Sequence, residues 1–557
     1  MKLFFVFVIV YFVDGALSLP FNQDEIKIAI EQGTLIGRKS LDWKGGVYYS
    51  FEGIPYAKPP VGGLRFKAPE PADPLIGVYN ATRSRAMCPQ QMHPEVEQSE
   101  NCLFVNVYTK MAEKLKPVMV WIHGGVFQHG SIADIEKTGP QFLIAEDIVL
   151  VQMQYRLNAF GFLSIDDPKY KIPGNAGFKD QILALKWVQK YIKYFGGDPN
   201  QVTIFGESAG GVAVHMLYVS PAAKGLFHRA IATSGSAGNI WITGPNKSPQ
   251  LAKALNCPLN DVDTIFECIN SKSTKEIVDS FTILRQNPNY TVAEGPIMNV
   301  LTIEHPNTKN AFMTESVYET VMKKKFNRLP FMTGFCADES ALFHMIDEFP
   351  HFRPNFTDYK YLIPKDLSVK RGTDEEVAVA QQIKEFYWGE SNPSSDLLDP
   401  YVKYLSDVQF IEKLYHYAKM QAKIAPEVPL YFFKLNQYTS LNTLYPIPLY
   451  SGKNYTVHGD DLHYLFSTGE KLNLDPKSNE YIGINRMVKL WTTFAKSKNA
   501  YPIPDNDPLF KNVEWKPVEQ QQFNYLHIQP GLVLEVNPNE ERFVFWEKLY
   551  RKYNQRA

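Results

Sequence analysis

Val202-Thr203-Ile204-Phe205-Gly206-Glu207-Ser208-Ala209-Gly210-Gly211 joins an apolar run to a glycine-lined turn with a serine at its tip. The run predicts a buried strand, and the turn predicts a strained corner that lifts the serine Oγ clear of the end of a sheet. Glycines beside it let the backbone pass close behind the serine. The G-x-S-x-G string is weak evidence by itself, because glycine and serine are both common. Its surroundings strengthen it. Upstream, Ile182, Leu185, Val188 and Ile192 recur at helical spacing in a segment opened by Asp180, and Gly196-Gly197-Asp198-Pro199 closes it with turn chemistry. Downstream, Val212 to Tyr218 lacks Gly and Pro and predicts a helix whose N-terminus lies under the serine.

A serine hydroxyl attacks only when a base takes its proton and donors receive the oxyanion, so further parts are expected. The strand-like run Pro117 to Ile122 leads into His123-Gly124-Gly125-Val126-Phe127, the form of an oxyanion loop. Backbone N–H groups of Gly125, Val126 and Ala209 are the expected donors. For the base, His458 stands in Asn454-Tyr455-Thr456-Val457-His458-Gly459-Asp460-Asp461, a loop after the strand-like Pro429 to Leu435. His344 and His351 lie in aromatic segments, His463 falls in the helix expected after the loop, and His527 is close to the end of the chain. For the orienting acid, Asp338 and Glu339 both follow a strand-like Leu329 to Thr333 and the turn Gly334-Phe335-Cys336-Ala337, and spacing does not choose between them.

Four ordered motifs resemble one family. Phe51-Glu52-Gly53-Ile54-Pro55-Tyr56-Ala57, Ser99-Glu100-Asn101-Cys102-Leu103, Gly174-Asn175-Ala176-Gly177-Phe178-Lys179-Asp180-Gln181 and the serine turn all look like the type-B carboxylesterases and cholinesterases. The likeness runs from about Thr34 to the C-terminal helix. It implies an α/β fold of the α/β-hydrolase type, a large, mostly parallel central sheet flanked by helices. It also implies a Ser208-His458-Glu339 triad, since the family's acid is a glutamate in a Gly-x-x-x-x-Glu stretch. Arg65 with Glu100, and Arg156 with Asp180, resemble the family's internal ion pairs. The chain departs from the pattern at Val126, where a third glycine is usual, and at Ser340, where a glycine usually follows the acid.

The resemblance and simple proximity together pair Cys88 with Cys102 and Cys257 with Cys268, leaving Cys336 as a buried thiol. Disulfides fit an oxidising compartment. Met1 to Ser18 has Lys2, an apolar Leu3 to Val10 and small residues at Gly15, Ala16 and Ser18, which reads as a secretory signal peptide too short to span a bilayer. Residues 19–557 are then expected to form one domain in the extracellular space. Asn80, Asn246, Asn289, Asn355 and Asn454 each open an N-x-S/T acceptor, with Pro249 weighing against Asn246.

A net charge of −1 gives no electrostatic reason to expect nucleic acid, and 45% hydrophobic residues supply a large core. The expected partner is a small, neutral ester, with no metal or organic cofactor and no transmembrane span; the sequence assigns no oligomeric state. Phe127, Trp241, Leu342 and Phe343 are candidates for the substrate pocket. In the family, cholinesterases hold a quaternary ammonium on a tryptophan inside the first disulfide loop; this chain has none between Cys88 and Cys102, which argues against choline esters. Three readings follow: a general secreted carboxylesterase, a dedicated juvenile hormone or pheromone esterase, and an inactive adhesion homologue. Hormone esterases usually carry glutamine at the place of Glu207, and adhesion homologues usually lose a triad member, so the first is preferred.

Overall fold

The computed structural model describes residues 24–133, 138–240, 242, 246, 248–285, 300–342, 358–393, 398–445, 453–468 and 474–554. The proposed signal peptide, Trp241, Phe343, Asn289 and Asn355 lie outside them.

The strands are β1 (Glu25–Ile30), β2 (Gly33–Leu41), β3 (Val47–Pro55), β4 (Val78–Asn80), β5 (Phe104–Thr109), β6 (Lys116–Ile122) and β7 (Val149–Met153). They continue as β8 (Gly197–Glu207), β9 (Arg229–Thr233), β10 (Phe331–Cys336), β11 (Leu430–Leu435), β12 (Asn524–Ile528) and β13 (Leu532–Val536). Together they form one 13-stranded sheet in the order β1-β2-β3-β5-β7-β6-β8-β9-β10-β11-β12-β13, with β4 beside β2. From β7 through β12 every neighbouring pair is parallel, while β1, β2, β3, β5 and β13 add antiparallel edges. This is the α/β-hydrolase architecture expected.

The central strands are apolar on both faces because helices cover both. Val118, Val120 and Ile122 of β6, with Val202 and Ile204 of β8, belong to one core cluster. Met119, Trp121 and Phe205 alternate into the other. Trp121 and Phe205 meet there at 5.0 Å between ring centres.

Several element boundaries differ from the expected ones. The helix placed after Asp180 begins at Ala176, because Asn175 turns the chain with φ of +60°. Asp180 is inside that helix, fully buried against Arg156. Strand β8 starts at Gly197, which pairs with Lys116, and Asp198 and Pro199 fall in an irregular stretch before regular pairing with β6 resumes at Val202. Gly334 to Cys336 continue β10 rather than turning, since their pairing with β11 runs on to Cys336 opposite Leu435. Only then does the chain break toward Glu339. The helix after the serine spans Ala209–Val219 and the last helix Glu540–Asn554.

Both expected disulfides are present, Cys88–Cys102 and Cys257–Cys268, and Cys336 is free and buried. Arg65 meets Glu100 through two hydrogen bonds of 2.9 and 2.6 Å, and Arg156 meets Asp180 through two of 2.8 and 2.7 Å. These are the forked pairs that guanidinium geometry favours for a charge held away from water. Among the described residues no helix is long and apolar enough to cross a membrane.

Candidate active site

Ser208 sits where β8 ends and the helix Ala209–Val219 begins, with φ of +58° and ψ of −125°. A serine in that region is strained, and it stays there because its neighbours leave no alternative. Gly210 shows why: a Cβ built on it would lie 2.0 Å from the Ile122 carbonyl oxygen. Only glycine lets the elbow approach β6 this closely.

The loop His123 to Phe127, expected to hold the oxyanion donors, follows β6. Gly125 has φ of +104°, and a Cβ there would meet the His129 carbonyl oxygen at 2.0 Å. That carbonyl lies close because the Gly125 carbonyl itself accepts the N–H groups of Gln128 and His129, both at 2.9 Å. Val126 and Phe127 also take left-handed conformations, each with φ of +56°, an uncommon state for a β-branched residue. Valine at this position therefore takes a backbone conformation that glycine adopts without strain, at a local cost. Among the described residues, the backbone N–H groups of Gly125, Val126 and Ala209 form no hydrogen bond. Behind the loop, His123 stacks on Tyr155 at 4.4 Å, and the Tyr155 hydroxyl donates to the His123 carbonyl at 2.8 Å. Burial drives His123 down to about 4 despite its bond to the Gly124 carbonyl, so it remains neutral.

His458 brings the two ends of the site together. Its Nε2 lies 2.7 Å from Ser208 Oγ, and its Nδ1 lies 2.6 Å from Glu339 Oε2. The other oxygen of Glu339 accepts the Ser234 hydroxyl at 2.6 Å and the Cys336 N–H at 2.8 Å, which fixes the carboxylate's orientation. Asp338 faces the other way and accepts the Thr456 N–H at 3.3 Å. The histidine loop is pinned by Asp460, whose Oδ2 accepts the Val457 N–H at 2.7 Å and the Asn442 amide at 2.8 Å.

Two further buried acids adjoin this line. Glu207 Oε1 is 3.2 Å from His458 Nε2, and Asp461 accepts the Thr233 hydroxyl at 2.8 Å. Burial, reinforced by Asp461 and Glu339 against the opposing pull of His458, pushes Glu207 up to about 8. Burial likewise lifts Asp461 to about 7, against the Thr233 hydrogen bond. Burial disfavours the His458 imidazolium, but the Glu207 and Glu339 carboxylates outweigh it and raise the group. A proton on Glu207 removes one of the two carboxylate charges that raise His458.

The remaining expected residues are less central. Phe127 is buried edge-on against Tyr155, Phe162 and Phe178, and Leu342 is half-buried against the same cluster. Asn80 and Asn454 are exposed. Asn246 already donates its amide to the Ser164 carbonyl at 3.3 Å and to Asp166 at 3.2 Å, the nitrogen a glycan would occupy. Burial pushes the Cys336 thiol well up, so it stays protonated. No metal-holding cluster of His, Cys, Asp and Glu occurs among the described residues. Sequence reading did not find Ser234, Asp460 or the contact from Glu207. Asp460 stood in the quoted histidine loop, but nothing local says that its side chain turns inward.

This chain belongs to the carboxylesterase family, whose profile matches residues 24–546. It is similar to esterase FE4 of Myzus persicae, at 34% identity over 89% of this chain and 88% of that one. It is similar to a juvenile hormone esterase of Tribolium castaneum at 32%, covering 93% and 92%, and to a carboxylic ester hydrolase of Bombus ignitus at 29%, covering 95% of each. The chain is accordingly a carboxylic ester hydrolase.

Proposed function

We propose that the protein is a secreted serine carboxylesterase that cleaves small neutral esters through an acyl-enzyme on Ser208. The observation that carries this is the position of His458, within hydrogen-bonding distance of both Ser208 and Glu339. His458 takes the Ser208 proton as Oγ attacks the ester carbonyl, and Glu339 orients and stabilises the imidazolium. The N–H groups of Gly125, Val126 and Ala209 receive the oxyanion. The imidazolium then gives its proton to the departing alcohol, and water, activated by the same histidine, releases the acid and restores Ser208.

Secretion is supported by the leader-like Met1 to Ser18 and by the two disulfides. Residues 19–557 act as one domain in this reading, with Asn80, Asn289, Asn355 and Asn454 as glycan acceptors and Asn246 disfavoured by Pro249. A dedicated hormone esterase is the second reading, favoured by the 32% identity to a juvenile hormone esterase and opposed by Glu207.

The test is a panel of short-chain naphthyl esters, juvenile hormone, a long-chain triglyceride and acetylthiocholine, offered to wild type and Ser208→Ala. Rapid, Ser208-dependent turnover of the naphthyl esters alone supports the general carboxylesterase. Preference for the hormone supports the second reading, and no turnover by a folded wild type contradicts both.

A further inference from the structure

One turn of helix touches the base, the acid and the loop behind the serine without belonging to any of them. The helix Leu398–Ser406 runs into a π-turn, Asp407–Ile411, and continues as Glu412–Ile424. The Glu412 N–H donates to the Asp407 carbonyl, five residues back, which is the widened π pattern. Such a turn carries one residue more than an α-turn and so redirects the side chains around it. π-Turns persist mainly where that redirection serves a site.

Here it aims three groups. Phe410, buried, lays its ring against His458 with ring centres 4.5 Å apart. The Ser406 hydroxyl, just before the turn, accepts the N–H of Ser340, the residue after Glu339, at 3.0 Å. The Gln409 carbonyl accepts the Asn239 amide at 2.5 Å, and the loop carrying Asn239 begins at Ser234, which bonds Glu339. On its far side the turn is fastened to the last helix. Asp407, 1% exposed, pairs with Arg542 at 3.3 Å and accepts the Tyr387 hydroxyl at 2.6 Å. That hydroxyl in turn accepts the Trp546 indole N–H at 2.7 Å.

We propose that the π-turn Asp407–Ile411 is a positioning element for the His458–Glu339 pair, with Phe410 backing the imidazole and Asp407 anchoring the turn to Arg542 and Trp546. This rests on His458 serving as the base. Neither Phe410 nor Asp407 handles a proton in this account. Phe410 limits the tilt of the imidazole about its bond to Glu339, so that Nε2 stays on Ser208 Oγ. The anchor keeps Phe410 in place.

The test uses the full secreted chain and compares Phe410→Ala, Phe410→Leu, Asp407→Asn, Arg542→Ala and the Asp407→Asn/Arg542→Ala pair with His458→Ala. Kinetics on a naphthyl ester and thermal melting are read together. Misplaced catalytic groups lose rate rather than binding, so Phe410→Ala is expected to lower kcat by about tenfold or more with KM within about twofold. Phe410→Leu, which keeps apolar cover, is expected to recover most of that loss. Arg542→Ala and Asp407→Asn are each expected to lower kcat several-fold, with the double variant no worse than the poorer single one.

Unchanged kcat in Phe410→Ala overturns the proposal. So does a rise in KM alone, which would make Phe410 a substrate contact. If Phe410→Ala does not fold, Arg542→Ala decides the matter from the edge of the site, and unaltered kcat there overturns the anchoring. Activity surviving in His458→Ala would instead remove the base assignment on which the proposal stands; inactive His458→Ala with undisturbed Phe410 and Arg542 variants would reject the turn's role alone.

Discussion

Oε1 of Glu207 lies 3.2 Å from Nε2 of His458, the same nitrogen that meets Ser208 Oγ at 2.7 Å. A second carboxyl group therefore stands at the reacting end of the imidazole, opposite the one at Nδ1. Burial pushes Glu207 up to about 8, well above the usual carboxylate range, which favours its neutral form. Glu207→Gln preserves that neutral form and its shape. The variant is expected to keep kcat/KM at neutral pH within a factor of about three and to lack the alkaline inflection near pH 8 expected of wild type. A pH–rate profile of both proteins checks this. A large loss at neutral pH, or an unchanged inflection, would contradict it.

The same burial sets a pH dependence of stability. Glu207 and Asp461 hold their protons to about 8 and about 7 in the folded protein, whereas in the unfolded chain they ionise near 4.5 and 3.8. Over that window the folded state binds more protons, so stability falls as pH rises. The penalty is absent below the unfolded values, grows above them, and is complete once the folded values are passed. Each group contributes a slope of up to about 1.4 kcal/mol per pH unit. Urea unfolding of Glu207→Gln/Asp461→Asn is expected to give a flatter dependence than wild type across this range; an equal slope would refute the assignment.

At the oxyanion loop, Gly125→Ala places a methyl group 2.0 Å from the His129 carbonyl oxygen, at a φ of +104° that alanine resists. The loop must shift and its donors with it. Loss of an oxyanion donor costs about a hundredfold or more in kcat. The expected result is that loss with little change in KM, measured on a naphthyl ester in a variant that still melts cooperatively.

Arg156 is 2% exposed and Asp180 fully buried. Arg156→Met strands the carboxylate without its partner, at a cost of about 3–5 kcal/mol. The variant should melt well below wild type or fail to accumulate as folded protein. Adding Asp180→Asn, which removes the stranded charge, should restore part of the loss.

The legible parts of this protein are those written in contiguous strings. The elbow at Ser208 and the His123-Gly124-Gly125 loop are set by glycines whose close contacts are local to β6 and β8. The sheet showed itself through apolar runs that both faces bury. Boundaries were less readable: β10 outlasts its expected end because its partner strand, nearly a hundred residues on, continues to pair with it. The choice between Asp338 and Glu339 was invisible in spacing, since adjacent residues differ only in the direction they point after the strand ends. Family likeness chose Glu339, and it is Glu339 that faces His458. Ser234, Asp460 and Phe410 act through contacts across the fold, and no string announces them.

The most direct test is to treat the purified protein with a coloured organophosphate ester and follow activity, leaving-group release and intact mass. Loss of all esterase activity is expected, with one equivalent of leaving group released and one phosphoryl group carried by the peptide that contains Ser208. Full activity after treatment, or an adduct elsewhere with Ser208 unmodified, would contradict it.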